Sequence, residues 1–218
     1  MFGMSGTLIK EGVGKMSEEL VSRKELAFQL YELLDTEKVT ITAAVPTVWL
    51  ILLNYLQENN LKLPYLNKVI IGGSAIPEKI LRAFEEEFEV DVVHAWGMTE
   101  TSPLGTLGTL PPHLIDADVD TRMAQKLKQG RPPFGVELRV VDDAGTVLAR
   151  DGKTSGRLLV RGAAIAAGYF KGDGGDVLDD EGFFDTGDVA NIDEYGTMTI
   201  TDRAKDVIKS GGEWISSI

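Results

Sequence analysis

The sequence predicts an α/β fold that gives way to an antiparallel β module, on three observations. Short apolar strands alternate with helical stretches through the first half, the pattern of parallel β-α-β units. A polar excursion containing four prolines then interrupts it, "PPHLIDADVDTRMAQKLKQGRPP" at 111–133. Beyond that, strands of alternating character are joined by Asp/Gly turns, the chemistry of antiparallel hairpins.

Each element follows in order. Residues 17–35 set Leu20, Leu26, Leu30, Leu33 and Leu34 at helical spacing with charges between, so they form an amphipathic helix. "VTITAAV", 39–45, is β-branched and ends at Pro46. "TVWLILLNYLQENN" suits a helix buried on most sides. "LNKVIIGGSAIP" is a second strand running into glycines, and "PEKILRAFEEEF" is a helix with Pro77 in its first turn. "VDVVHAWG" is a third strand. A short helix is expected over 118–128, then the strands "VELRVVD", "GRLLVRG", "VANID" and "TMTITD". "GDGGD", 172–176, is a loop, and no internal repeat is present.

The totals exclude several classes. The 218 residues, 43% apolar, suffice for one large domain or two small ones. A net charge of −12 argues against a nucleic-acid surface or anionic membrane. Without cysteine there is neither disulfide nor thiol catalysis, and the default is a cytoplasmic protein. Two histidines leave little for an imidazole metal site. "AAVPTVWLILLNYL" is too short and too interrupted to span a bilayer.

Ligands of parallel α/β sheets bind beyond the carboxyl ends of the strands. Three strands here end in unusual sequence: "VPT", "GGSAIP" and "HAWGMTETS". Gly72 and Gly73 permit close backbone approach, and Trp96 offers a stacking face. Thr99 can donate to a phosphate oxygen and Glu100 can hold Mg²⁺. The same pair suits a helix N-terminus, with Thr99 as cap and Glu100 in the first turn. Downstream, Asp188 can bond a ribose diol through both oxygens, and Arg203 supplies a fixed cation. Lys209 with Gly211 and Gly212 makes a basic, glycine-opened segment. Asp185 and Asp188 equally suit turns, and "DRAKD" equally suits a solvated charge run. The turns "DDAG", "DDEG" and "DEYG" lack the alternating oxygen ligands of a calcium loop.

Taken in order, "GGSAIP", "HAWGMTETS", "GRLLVRGAAIAAGYF", "FFDTGDVANIDEYGTMTITDR" and "DRAKDVIKSGGEWIS" resemble the core motifs of the adenylate-forming enzymes. "HAWGMTETSP" and "VPTVW" look most like the medium- to long-chain fatty-acyl-CoA synthetase branch. The resemblance covers residues 36–218 and implies a fold, part of the adenylate-forming large domain, with a parallel βαβ sheet plus a β module. It implies ATP-dependent activation of a fatty acid: the carboxylate attacks the α-phosphate, pyrophosphate leaves, and coenzyme A captures the acyl-adenylate. On that likeness Gly73, Ser74, Ala75, Ala95, Trp96 and Gly97 line the adenine and carboxylate region. Thr99 touches the α-phosphate and Glu100 binds Mg²⁺. Asp188 holds the ribose, with Ile200 nearby and Arg203 completing the contact to AMP. Asp202 resembles the interdomain hinge, and Lys209, Gly211, Gly212 and Trp214 the segment that swings in for thioester formation. Pro46 and Trp49 would wall the acyl pocket, although Trp49 equally suits a core.

The sequence pattern divides the chain into a tail at 1–16, an α/β subdomain at 17–110, a connection at 111–133 and a β subdomain at 134–201, and the resemblance implies a hinge with the start of a further domain at 202–218. The family's glycine-rich phosphate loop and its adenylation lysine have no counterpart in this sequence, so the expectation is a piece of a larger ligase. A cut sheet would expose apolar surface and promote self-association. The alternative is a stand-alone, non-catalytic AMP or acyl-adenylate binder, or one half of a split enzyme.

Overall fold

A computed structural model describes residues 23–203, 208–210 and 213–215. The tail at 1–16, the first six residues of the expected helix at 17–35, and Gly211 and Gly212 lie outside the described residues. The chain divides into two compact units, one running up to Val92 and the other from Val93.

In the first unit, α1 (Arg23–Thr36) leads to β1 (Ile41–Ala44), α2 (Pro46–Asn59) and β2 (Lys68–Gly72). The strands β1 and β2 run parallel, with Ile41 facing Lys68 and Ala44 facing Ile71, and α2 is their crossover. Pro46 opens α2 because its fixed φ suits the first helical position, and it keeps Val45 extended at φ −79°, ψ 156°. Asn60 closes the helix in the left-handed region. Trp49, Leu52, Leu53 and Leu56 project from α2 into a core shared with Val69, Ile71, Ile80, Leu81 and Phe84.

The helix expected to begin at Pro77 is shorter and less regular than its sequence suggests. Pro77 stands just before α3 (Glu78–Arg82) as its cap, and the chain then widens into a π turn, Ala83–Glu87. That widening leaves Glu85 in position to accept the Val92 N–H at 2.7 Å.

β3 (Asp91–Trp96) carries the chain into the second unit. There it pairs antiparallel with β4 (Thr106–Gly108), Trp96 facing Thr106. α4 (Val119–Leu127) follows, capped by the Asp118 carboxylate on the Thr121 N–H at 2.9 Å. Then β5 (Val136–Val141), β6 (Gly156–Gly162), β7 (Phe184–Ile192) and β8 (Met198–Arg203) form an antiparallel meander in sequence order. Its inner face buries Leu138, Val140, Leu158, Val160, Ala190, Ile192 and Met198 with Trp96. A last hairpin pairs β9 (Ile208–Ser210) with β10 (Glu213–Ile215). The α/β opening and the antiparallel close are as the sequence predicts, whereas β4 has no sequence signal.

Candidate functional site

In the second unit, one buried carboxylate joins residues far apart in sequence. Asp188, 4% exposed, accepts the Trp96 indole N–H at 2.9 Å through Oδ2. Its Oδ1 meets Arg203 Nε at 3.0 Å, and the two residues face each other across β7 and β8. Burial pushes the Asp188 carboxyl above its ordinary value, against the indole N–H and the guanidinium, which both favour the charged form.

Local sequence explains why the carboxylate turns inward. Thr186, Gly187 and Asp188 lie where β7 loses step-by-step register with β6, between the Arg157–Val189 and Leu159–Asp185 pairs. Gly187 takes φ +71°, a conformation that favours glycine. The Thr186 hydroxyl donates to the Leu158 carbonyl at 2.9 Å and accepts the Asp188 N–H at 3.1 Å. Asp185 does more than shape a turn. It accepts the Gly187 N–H at 3.0 Å and pairs with Arg157 at 2.6 Å.

Trp96 depends on its neighbours in the same way. A Cβ at Gly105 would lie 2.1 Å from the indole ring, and a Cβ at Gly97 would lie 1.8 Å from the Pro103 carbonyl oxygen. Both glycines are therefore steric requirements of this bend. Ala95, buried, pairs with Leu107.

The threonine-glutamate pair forms a single 3₁₀ turn, Thr99–Thr101. Met98, not Thr99, stands at the cap position, and Thr99 is exposed. The buried hydroxyl of Thr101 anchors the turn, accepting the Met98 N–H at 3.0 Å and reaching the Pro103 carbonyl at 2.6 Å. The "AAIAAGYF" loop completes it. Ala166 donates its N–H to the Glu100 carbonyl at 2.8 Å, and the Tyr169 hydroxyl donates to Glu100 Oε1 at 2.7 Å. That bond, ahead of desolvation and the carboxylate's charge, raises the Tyr169 pKa. Thr101 and Tyr169 were missed in the sequence, although both lie inside quoted motifs.

Among the described residues no group of three or more acidic or histidine side chains could cage a metal. Glu100 offers one hard oxygen donor set, which fits magnesium as it is commonly held, by one or two carboxylates with substrate phosphates and water.

Ile200 is half-buried against the core, and its N–H donates to Gln129 Oε1 at 2.7 Å. Asp202 is buried in β8 opposite Val189. Lys209 faces Trp214 in the last hairpin. Gly73, Ser74 and Ala75 form an exposed turn after β2 in the first unit, with Gly73 at φ +86°. In that same unit Pro46 and Trp49 belong to the core rather than to an open pocket wall. Trp49 is 0% exposed, its ring meets Phe84 edge-on at 5.4 Å, and its N–H donates to the Ala44 carbonyl at 3.1 Å. No helix among the described residues is long and apolar enough to cross a membrane.

Comparison with known proteins agrees with this architecture. Residues 16–170 match the family model of the AMP-binding enzymes. A medium-chain-fatty-acid–CoA ligase of Ectopseudomonas oleovorans is 48% identical over 189 residues, 87% of this chain and 34% of that ligase. A 3-methylmercaptopropionyl-CoA ligase of Ruegeria lacuscaerulensis is 47% identical over 189 residues, again 87% of this chain and 35% of that protein. Among solved structures, a long-chain-fatty-acid-CoA ligase from Archaeoglobus fulgidus superposes with a TM-score of 0.67 at 29% identity, covering 83% of this chain and 37% of that one. The chain thus spans about a third of the length of the curated relatives it matches. It belongs to the AMP-binding enzyme family.

Proposed function

We propose that this chain supplies part of the nucleotide site of an AMP-forming acyl-CoA ligase whose acid substrate is a fatty acid. A fatty carboxylate attacks the α-phosphate of ATP, pyrophosphate leaves, and the thiol of coenzyme A displaces AMP to give the thioester. The observation that carries this reading is the Asp188 carboxylate, buried between the Trp96 indole and the Arg203 guanidinium. A carboxylate is an acceptor of two hydroxyl hydrogens, which is what a ribose diol presents. Arg203, largely exposed, carries further guanidinium donors that suit ribose or phosphate oxygens.

The remaining roles follow the family likeness. Thr99, exposed at the start of its turn, donates to the α-phosphate, and Glu100 holds Mg²⁺. Bound there, magnesium would neutralise charge on the phosphate oxygens. Gly73, Ser74, Ala75, Ala95 and Gly97 bring backbone close to the adenine and the acyl carboxylate. Asp202 serves as the hinge. Lys209 and Trp214, with Gly211 and Gly212, belong to the segment that delivers coenzyme A. The absence of cysteine supports a cytoplasmic setting. Self-association through exposed sheet edge is part of the same proposal. The fatty-acid assignment rests on the medium- and long-chain relatives, and the nearly equal identity of a 3-methylmercaptopropionyl-CoA ligase makes chain length the property to measure first.

The test is AMP binding by calorimetry together with fatty-acid-dependent ATP–pyrophosphate exchange in the full-length protein. Asp188→Ala is expected to weaken AMP by at least about tenfold, the loss of a charge-assisted hydrogen bond. Unchanged AMP affinity in that variant removes Asp188 from the ribose role.

A further inference from the structure

The contact between Asp188 and Arg203 depends on a one-residue shift in β8. Ile192, Asn191 and Ala190 of β7 face Met198, Thr199 and Ile200 in unbroken antiparallel register. Continued without interruption, that register would set Asp202 opposite Asp188. Two carboxylates directly across a ladder repel. Instead Thr201 is taken up as an extra residue, and beyond it Val189 faces Asp202 and Asp188 faces Arg203. This is a β-bulge, and it decides which charge the buried carboxylate meets.

A bulge persists only where the backbone groups it displaces are satisfied. Gly130 pairs with Met198 on β8, their main-chain bonds measuring 2.7 and 3.3 Å. Two residues on, Gln129 Oε1 takes the Ile200 N–H at 2.7 Å, so the side chain stands where a further strand residue would be. On the other side, the Thr201 hydroxyl donates to the Val189 carbonyl at 3.2 Å. Gln129 is itself fixed: it is 7% exposed, and the buried Thr106 hydroxyl donates to its main-chain carbonyl at 2.7 Å. Gly130, at φ +91°, packs where any Cβ would lie 2.1 Å from the Leu107 carbonyl oxygen.

We infer that Gln129 is a positioning residue for the nucleotide site: its side-chain amide ends the regular part of β8 at Ile200, holds the bulge at Thr201, and so selects Arg203 over Asp202 as the partner of Asp188. The inference rests on the assignment of Asp188 to the ribose only for its functional consequence. The register itself stands on the hydrogen bonds.

Three readouts on Gln129→Leu, Gln129→Glu and the parent protein test it: the Asp188 titration midpoint by carboxyl-carbon NMR, AMP affinity by calorimetry, and the melting temperature. Leucine removes the acceptor, so the Asp188 midpoint rises as the guanidinium leaves, and AMP weakens by about tenfold, the scale of one buried hydrogen bond. Glutamate keeps an acceptor oxygen and recovers most of both. In an Arg203→Ala background, Gln129→Leu adds no further loss of AMP affinity. A lower melting temperature with the Asp188 midpoint and AMP affinity unchanged overturns the inference, since Gln129 is then only structural. If the parent protein binds no AMP but the leucine variant still moves the Asp188 midpoint, the register role holds and the nucleotide assignment fails. Should the leucine variant not fold, Thr106→Val releases the main-chain carbonyl that fixes Gln129 and is read by the same measurements.

Discussion

Trp49 in the first unit and Trp96 in the second are both buried, and both donate their indole N–H, yet to acceptors of different kinds. Trp49 reaches the main-chain carbonyl of Ala44, an acceptor fixed by β1 and unable to change its charge. Trp96 reaches the carboxylate of Asp188, which can gain a proton, exchange partners or meet a ligand. The first bond closes a core. The second leaves a polar group inside the protein whose state depends on its surroundings, and such groups mark functional sites more often than packing does.

The comparison can be broken or sharpened by experiment. Trp49→Ala empties a fully buried ring and is expected to cost about 3–5 kcal/mol of stability, measured by denaturant unfolding. A loss below about 1 kcal/mol would mean that the core closes over the gap and that Trp49 is not central to it. Trp96→Phe retains the ring but leaves Asp188 Oδ2 without its donor, an expected cost of about 1–3 kcal/mol, smaller than that of Trp49→Ala. A cost equal to that of Trp49→Ala would show that Trp96 also acts chiefly through packing.

A pH series distinguishes the two tryptophan environments further. Because burial raises the folded-state pKa of Asp188 above the usual 3.8, the folded state holds this proton more tightly than the unfolded chain. The associated stability is fully present below the unfolded value and is lost as pH climbs through the folded one. Asp188→Asn removes that dependence, so the variant should gain on the parent protein as pH rises through this window. The opposite slope would show that Arg203 and Trp96, rather than burial, dominate the carboxylate. The smallest effect is expected for Tyr169→Phe. Its bond to Glu100 is exposed, so stability should change by less than about 1 kcal/mol.

The fold was legible where periodicity had few competitors. The β-branched run at 39–45, Pro46 after it and the apolar face of α2 fix a parallel βαβ unit from local information. The two segments that meet at Asp188 were legible as clusters of chemistry in sequence, "HAWGMTETS" and "FFDTGD". Three features were not. β4 is three residues long and owes its existence to β3 and to the Arg131 bridge. The π turn after α3 meets Val92 through Glu85 and carries no composition of its own. Gln129 acts on a residue 71 positions away, and its sequence surroundings read only as a polar connection. A one-residue bulge is decided by which hydrogen bonds can be satisfied at a distance, and periodicity does not record that.

Gly105 shows where this leads for variation. It has no chemistry to lose, yet the aromatic plane of Trp96 occupies the volume its side chain would need. In a saturation library screened for AMP binding, replacements there should rank among the most damaging in the bend. Intolerance at a residue without a side chain would then map the indole's footprint.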